Sequence, residues 1–169
     1  TTGRDPKRLR QNLLKARELL EQAGWKLAAD GKLRNAKGEA FEIEYLNPGE
    51  GGRLSDWQTN LEKLGITLKE RNVDFALYRR RLEQYDFDVI TFAGGDFTLP
   101  DATGLQTVFG SKAADEKGNN NFRGVKSAAV DHLIRAMDQA TTMEEFRDAT
   151  RALDRVLMWS HWQIPELYS

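Results

Sequence analysis

Residues 41–92 change hydrophobic period four times, and few folds accommodate that succession. Phe41, Ile43 and Tyr45 alternate with Glu42 and Glu44, the period-two signature of a half-buried strand, and Asn47-Pro48 ends it. Leu54, Trp57, Leu61 and Leu64 then recur at helical spacing until Gly65. Ile66 to Arg71 alternates again. Asp74 is placed to cap a helix whose inward positions are Phe75, Tyr78, Leu82 and Tyr85, after which Phe87, Val89, Ile90 and Phe92 suit a buried strand. Two crossovers of this length predict parallel strands with right-handed connections. The expected fold class is α/β: a small, mainly parallel sheet flanked by helices.

Parallel strands bring the loops that follow them to one edge, so residues 47–53 and 93–101 are expected to face a common space, where open α/β sheets place ligands. In the second loop Gly94 and Gly95 free the backbone and Asp96 follows directly. An acid just past a buried strand and two glycines is poorly explained as a solvated surface residue. From residue 93 to 126 regular periodicity is weak. Connections longer than about 12–15 residues are uncommon unless functional or disordered, which makes this region the candidate for ligand contact. Within it Asn119-Asn120-Asn121-Phe122-Arg123-Gly124 offers amides, a cation and an aromatic.

Around this centre the helices are legible. Leu9, Leu13, Ala16, Leu20 and Ala23 mark a first helix between an Asp5-Pro6 start and Gly24, and the Asp30-Gly31 and Lys37-Gly38 pairs mark tight turns between short strands. A short helix is expected over residues 101–109. Two more follow, one on Val130, Leu133, Ile134 and Met137, the other on Phe146, Ala149, Leu153 and Val156 behind a Thr142/Glu145 capping box. No repeat or linker divides the chain, and a single domain over residues 1–169 is expected.

Several chemistries lack their residues. With 25 Lys and Arg against 26 Asp and Glu, net charge −1, nothing global favours nucleic acid. Cysteine is absent, and His132 and His161 stand in no metal-ligand spacing, so neither a metal nor a cofactor is expected. Ser160-His161 is not a nucleophile elbow, and the glycines of 49–52 precede no Lys-Ser/Thr. Asp86 with Asp88 fits strand alternation, and Arg79-Arg80-Arg81 fits a solvated helix face. No apolar run approaches the roughly 18 residues of a membrane span. A non-catalytic protein without membrane insertion is expected. The start at Thr1, with no basic segment leading into an apolar one, and the extended run at 165–169 suggest an excised piece of a longer protein.

An ordered set of short matches runs through the chain. Residues 16–25 read as a helix closing on Ala-Gly-Trp, followed by the two glycine turns. Leu61-Glu62-Lys63-Leu64-Gly65-Ile66, Tyr78, Phe87-Asp88, Asn121-Phe122, Val130-Asp131 and Ile164-Pro165 come next, in that order. Together they resemble the carboxyl-terminal lobe of the family 5 extracellular solute-binding proteins, the peptide and oligopeptide receptors of bacterial ABC importers. Asp96-Phe97-Thr98-Leu99-Pro100, Gly110-Ser111-Lys112 and Trp159-Ser160-His161-Trp162 are most similar to its Yej-type subgroup.

The resemblance implies a lobe of a type II periplasmic-binding-protein fold, periplasmic and monomeric. It implies a peptide as ligand, held in a cleft against a second lobe, and an importer permease as partner. Gly95-Asp96-Phe97 is similar to the segment whose acid pairs with the ligand's α-ammonium group. Asp96 inherits that role, with Gly94, Gly95, Phe97, Asn121 and Arg123 as further ligand contacts. Two other classes remain open: a nucleotide-binding or enzymatic α/β domain using residues 47–53 and 119–124, and an interaction module with an exposed apolar patch.

Overall fold

Helix α1 (Pro6–Gln22) begins at the expected cap, where the Asp5 carboxylate accepts the Lys7 N–H at 3.0 Å and Pro6 occupies the first turn. In this computed structural model, which describes residues 5–49, 54–91 and 100–164, ten further short elements follow. They are β1 (Lys26–Leu27), β2 (Leu33–Arg34), β3 (Glu42–Asn47), α2 (Ser55–Glu62), β4 (Thr67–Asn72), α3 (Phe75–Glu83), α4 (Ala102–Phe109), a 3-10 turn (Ala113–Asp115), α5 (Ala128–Asp138) and α6 (Met143–Trp159). The chain divides into two units, Thr1–Tyr78 with Phe87–Phe92, and Arg79–Asp86 with Ala93–Ser169.

In the first unit β3 and β4 pair in parallel, in register from Glu42 opposite Thr67 to Asn47 opposite Asn72. The third expected strand is shorter than its sequence suggests. Among the described residues it makes one parallel bridge, Val89 to Tyr45, in which Val89 donates to the Glu44 carbonyl at 3.1 Å and Leu46 donates to the Val89 carbonyl at 2.9 Å. The Asp88 carboxylate takes the Glu44 N–H at 2.8 Å, so a side chain replaces the next rung of the ladder. β3 is nevertheless central, with β4 on one side and the 87–91 segment on the other. Tyr45, Leu54 and Leu68 pack with Trp57, Leu61 and Val89 into one core cluster.

A second cluster of Leu33, Leu64 and Ile66 receives Leu13, Ala16 and Leu20 of α1 together with Trp25 and Phe41, whose rings lie 4.4 Å apart. β1 and β2 form the expected antiparallel hairpin. It is tied down by the Leu33 N–H, which donates to the Gly65 carbonyl at 2.7 Å. On α3 the spacing is only partly obeyed. Tyr78 and Leu82 are buried, whereas Phe75 in the first turn is 67% exposed. Arg81 departs from the solvated face expected of it: its side chain is mostly covered and its guanidinium pairs with Asp86 at 2.9 Å.

The second unit is built on α5 and α6. Val125, Val130, Ile134, Met137, Leu153 and Leu157 form its core, and Leu105 and Phe109 of α4 pack against it. Each helix start is satisfied by the side chain before it, Asp101 for α4, Ser127 for α5 and Thr142 for α6, the last in a complete capping box with Glu145.

Candidate functional site

At the carboxyl edge of the sheet, Asn47 closes β3 from within. Its side chain is buried, donating to Glu70 of β4 and accepting the Gly49 N–H at 3.0 Å, while its carbonyl accepts the Val73 N–H at 3.0 Å. These bonds fix how the chain leaves both strands at once. Because Val89 pairs with Tyr45 in parallel, the 87–91 segment also runs toward this edge. Phe75 stands just beyond β4, exposed and stacked on Tyr78 with ring centroids 6.3 Å apart. An exposed aromatic at such an edge is a contact candidate that sequence spacing hides, since 75, 78 and 82 share one helical face.

Gly94, Gly95, Asp96 and Phe97 lie outside the described residues, as do residues 50–53. Asn121 and Arg123 are described, and the structure brings them together in one loop of the second unit. Asn121 is 0% exposed. Its Nδ2 donates to the Gly110 and Val125 carbonyls at 3.1 and 2.9 Å, and its Oδ1 accepts the Val125 N–H at 3.0 Å. The amide thus replaces secondary structure in holding a loop that has none.

Arg123 is half-buried with its guanidinium over the Phe109 ring, 5.2 Å from the centroid. Burial draws its pKa below the ordinary arginine value. Arg123 has no carboxylate partner within 4 Å among the described residues. A partly desolvated guanidinium resting on an aromatic face keeps its planar fork of donors for an anion, best a carboxylate.

A groove of about 400 Å³ opens between α4, the 3-10 turn and α5, with Gln106, Lys112, Glu116, Arg135 and Asp138 in its lining. Sequence reasoning did not single it out, and neither Asn121 nor Arg123 lines it. Among the described residues no buried side-chain polar atom lacks a partner, so none in this groove is left for a ligand to satisfy. No group of His, Asp and Glu among them is arranged to hold a metal ion, and no described helix is long and apolar enough to cross a membrane.

Comparison with known proteins puts this geometry in context. A probable peptide-binding protein, YejA of Agrobacterium fabrum, is 35% identical over 166 residues, covering 97% of this chain and 27% of that protein. The peptidoglycan-binding protein YepA of the same organism is 32% identical over 169 residues, covering 99% of this chain and 26% of its own length. This chain therefore spans about a quarter of these relatives. Among solved structures, the oligopeptide-binding protein AppA of Bacillus subtilis, in complex with a nonapeptide, superposes with a TM-score of 0.69 at 24% identity, over 85% of this chain and 29% of that one. A mannohexaose-bound periplasmic oligopeptide-binding protein of Thermotoga maritima gives 0.72 at 19% identity, over 95% and 32%. These likenesses establish the fold, a lobe of the periplasmic-binding-protein type with small sheets flanked by helices. Residues 2–116 match the model of the bacterial extracellular solute-binding proteins, family 5, middle region. The chain belongs to the family 5 bacterial extracellular solute-binding proteins.

Proposed function

We propose that this chain is one wall of a peptide-binding cleft, closed by a second lobe, in a monomeric periplasmic receptor that hands its ligand to an ABC-importer permease. The role is capture without chemistry. Family membership and the name of the YejA relative support the ligand class. In the geometry the supporting observation is Arg123, a half-buried cation in a braced loop with no carboxylate of its own among the described residues. A peptide with free termini carries one group for each end of such a site: its carboxylate for Arg123 and its α-ammonium for Asp96. Gly94, Gly95 and Phe97 are further ligand contacts beside Asp96 in this reading, and Asn121 acts by holding the Arg123 loop. Main-chain contacts between the two ends would accept varied side chains.

Cell-wall stem peptides fall in the same ligand class, and the YepA relative carries a peptidoglycan-binding name. Their several carboxylates suit an arginine that has no carboxylate partner among the described residues.

The test is calorimetric titration of a receptor of the relatives' length carrying this chain, with a tripeptide in free, N-acetylated and C-amidated forms. Asp96→Asn is expected to weaken the free tripeptide while leaving the N-acetylated form nearly unchanged, and Arg123→Gln to do the same with respect to C-amidation. Equal losses for free and blocked peptides would remove the assigned roles.

A further inference from the structure

Tyr85 adopts φ +53°, a left-handed conformation that is uncommon for a bulky side chain. It sits where α3 ends, with its own N–H bonded to the Leu82 carbonyl at 3.1 Å and the Asp86 N–H bonded to the Arg81 carbonyl at 2.9 Å. That pair of bonds is the Schellman closure of a helix, and its left-handed position is ordinarily a glycine. A tyrosine there is strained, so the strain is held by something else.

The side chain supplies it. The Tyr85 hydroxyl donates to the Asn121 carbonyl at 3.0 Å and accepts from Asn119 Nδ2 at 3.2 Å. Its ring passes 3.9 Å from where a Cβ on Gly124 would stand. The hydroxyl thus holds the loop at Asn119 and Asn121, just before Arg123, and the ring lies beside Gly124, just after it. The Arg81–Asp86 ion pair, at 2.9 Å, braces the turn from which Tyr85 projects.

We propose that Tyr85 is the positioning residue for Arg123: it holds the 119–124 loop so that the guanidinium is fixed on Phe109 and aimed at the ligand's anionic group. This rests on Arg123 meeting that anion, as proposed above. The affinity and selectivity of the receptor for a free carboxylate then depend on a hydroxyl that never touches the ligand.

The experiment compares a free-acid tripeptide with its C-terminal amide on a receptor of the relatives' length. Tyr85→Phe keeps the ring and removes the hydroxyl; Tyr85→Gly relieves the backbone and removes both. The acid-to-amide affinity ratio is expected to fall at least threefold in Tyr85→Phe and further in Tyr85→Gly, with amide affinity unchanged in both. Added to Arg123→Gln, Tyr85→Phe should cause no further loss of ratio. A merely structural tyrosine would weaken both peptides alike, and that outcome, or a wild-type ratio in Tyr85→Phe, overturns the assignment. A wild-type receptor that binds acid and amide equally would instead overturn the role of Arg123 and the Tyr85 assignment with it.

Discussion

Asn121 and Val125 exchange two hydrogen bonds, side chain to main chain in both directions, at 3.0 and 2.9 Å. The same amide reaches Gly110, so one fully buried side chain serves three main-chain groups on two stretches of the second unit. Asn121→Ala leaves them buried and unpaired, and is expected to cost about 3 kcal/mol in urea denaturation. A loss below about 1 kcal/mol would mean that the loop is held otherwise.

Gly65 is the most crowded of the left-handed glycines among the described residues. It has φ +81°, and an added Cβ would lie 2.8 Å from the Leu33 nitrogen and 2.9 Å from the Gly31 oxygen, both main-chain atoms of the hairpin. Neither can withdraw without breaking the turn. Gly65→Ala is expected to destabilise by about 2 kcal/mol or more, beyond the usual cost of a left-handed alanine. Gly38→Ala is the control: its φ is +82° but no atom lies within 4 Å, so it should show the backbone cost alone.

Glu145 gives the acid limb of stability a definite sign. Its carboxylate accepts the Thr141 N–H, the Thr141 hydroxyl and the Thr142 N–H, which hold its pKa below the ordinary glutamate value of 4.5. A depressed carboxylate contributes in full above the unfolded value and loses that contribution as pH falls through the folded value. Denaturation at falling pH should therefore show a shallower acid loss in Glu145→Gln than in wild type. Thr142→Ala, which removes the other half of the box, should cost about 1 kcal/mol at neutral pH.

Phe75 separates packing from contact. At 67% exposure, Phe75→Ala should change stability by less than about 0.5 kcal/mol, whereas the core position its spacing suggests would cost about 3–5 kcal/mol. Thermal or chemical denaturation decides between them.

Where a residue's role is periodic or local, the sequence was sufficient. The Asp5, Asp74 and Thr142 caps, the glycine turns, the β3–β4 pairing and the α5–α6 core all follow from spacing and local chemistry. Spacing failed where the first turn of a helix is exposed, as at Phe75, and where a side chain takes a main-chain role, as Asp88 does for the third strand. The Arg123 loop was visible as composition, but its bracing was not. Nothing in Gln84-Tyr85-Asp86 announces a left-handed tyrosine, because its reason lies more than 30 residues away at Asn119 and Asn121. Asp96 stood out by its setting in sequence and lies outside the described residues.

Peptide capture by a cleft of which this chain is one wall is tested most directly by titrating the same free tripeptides into a receptor of the relatives' length and into this chain alone. Saturable heat from the receptor and none from the isolated chain is the expected result, since half the contacts cannot offset the cost of ordering the ligand. A micromolar site on the chain alone, or a receptor that ignores peptides and is thermally stabilised by nucleotides, would contradict it.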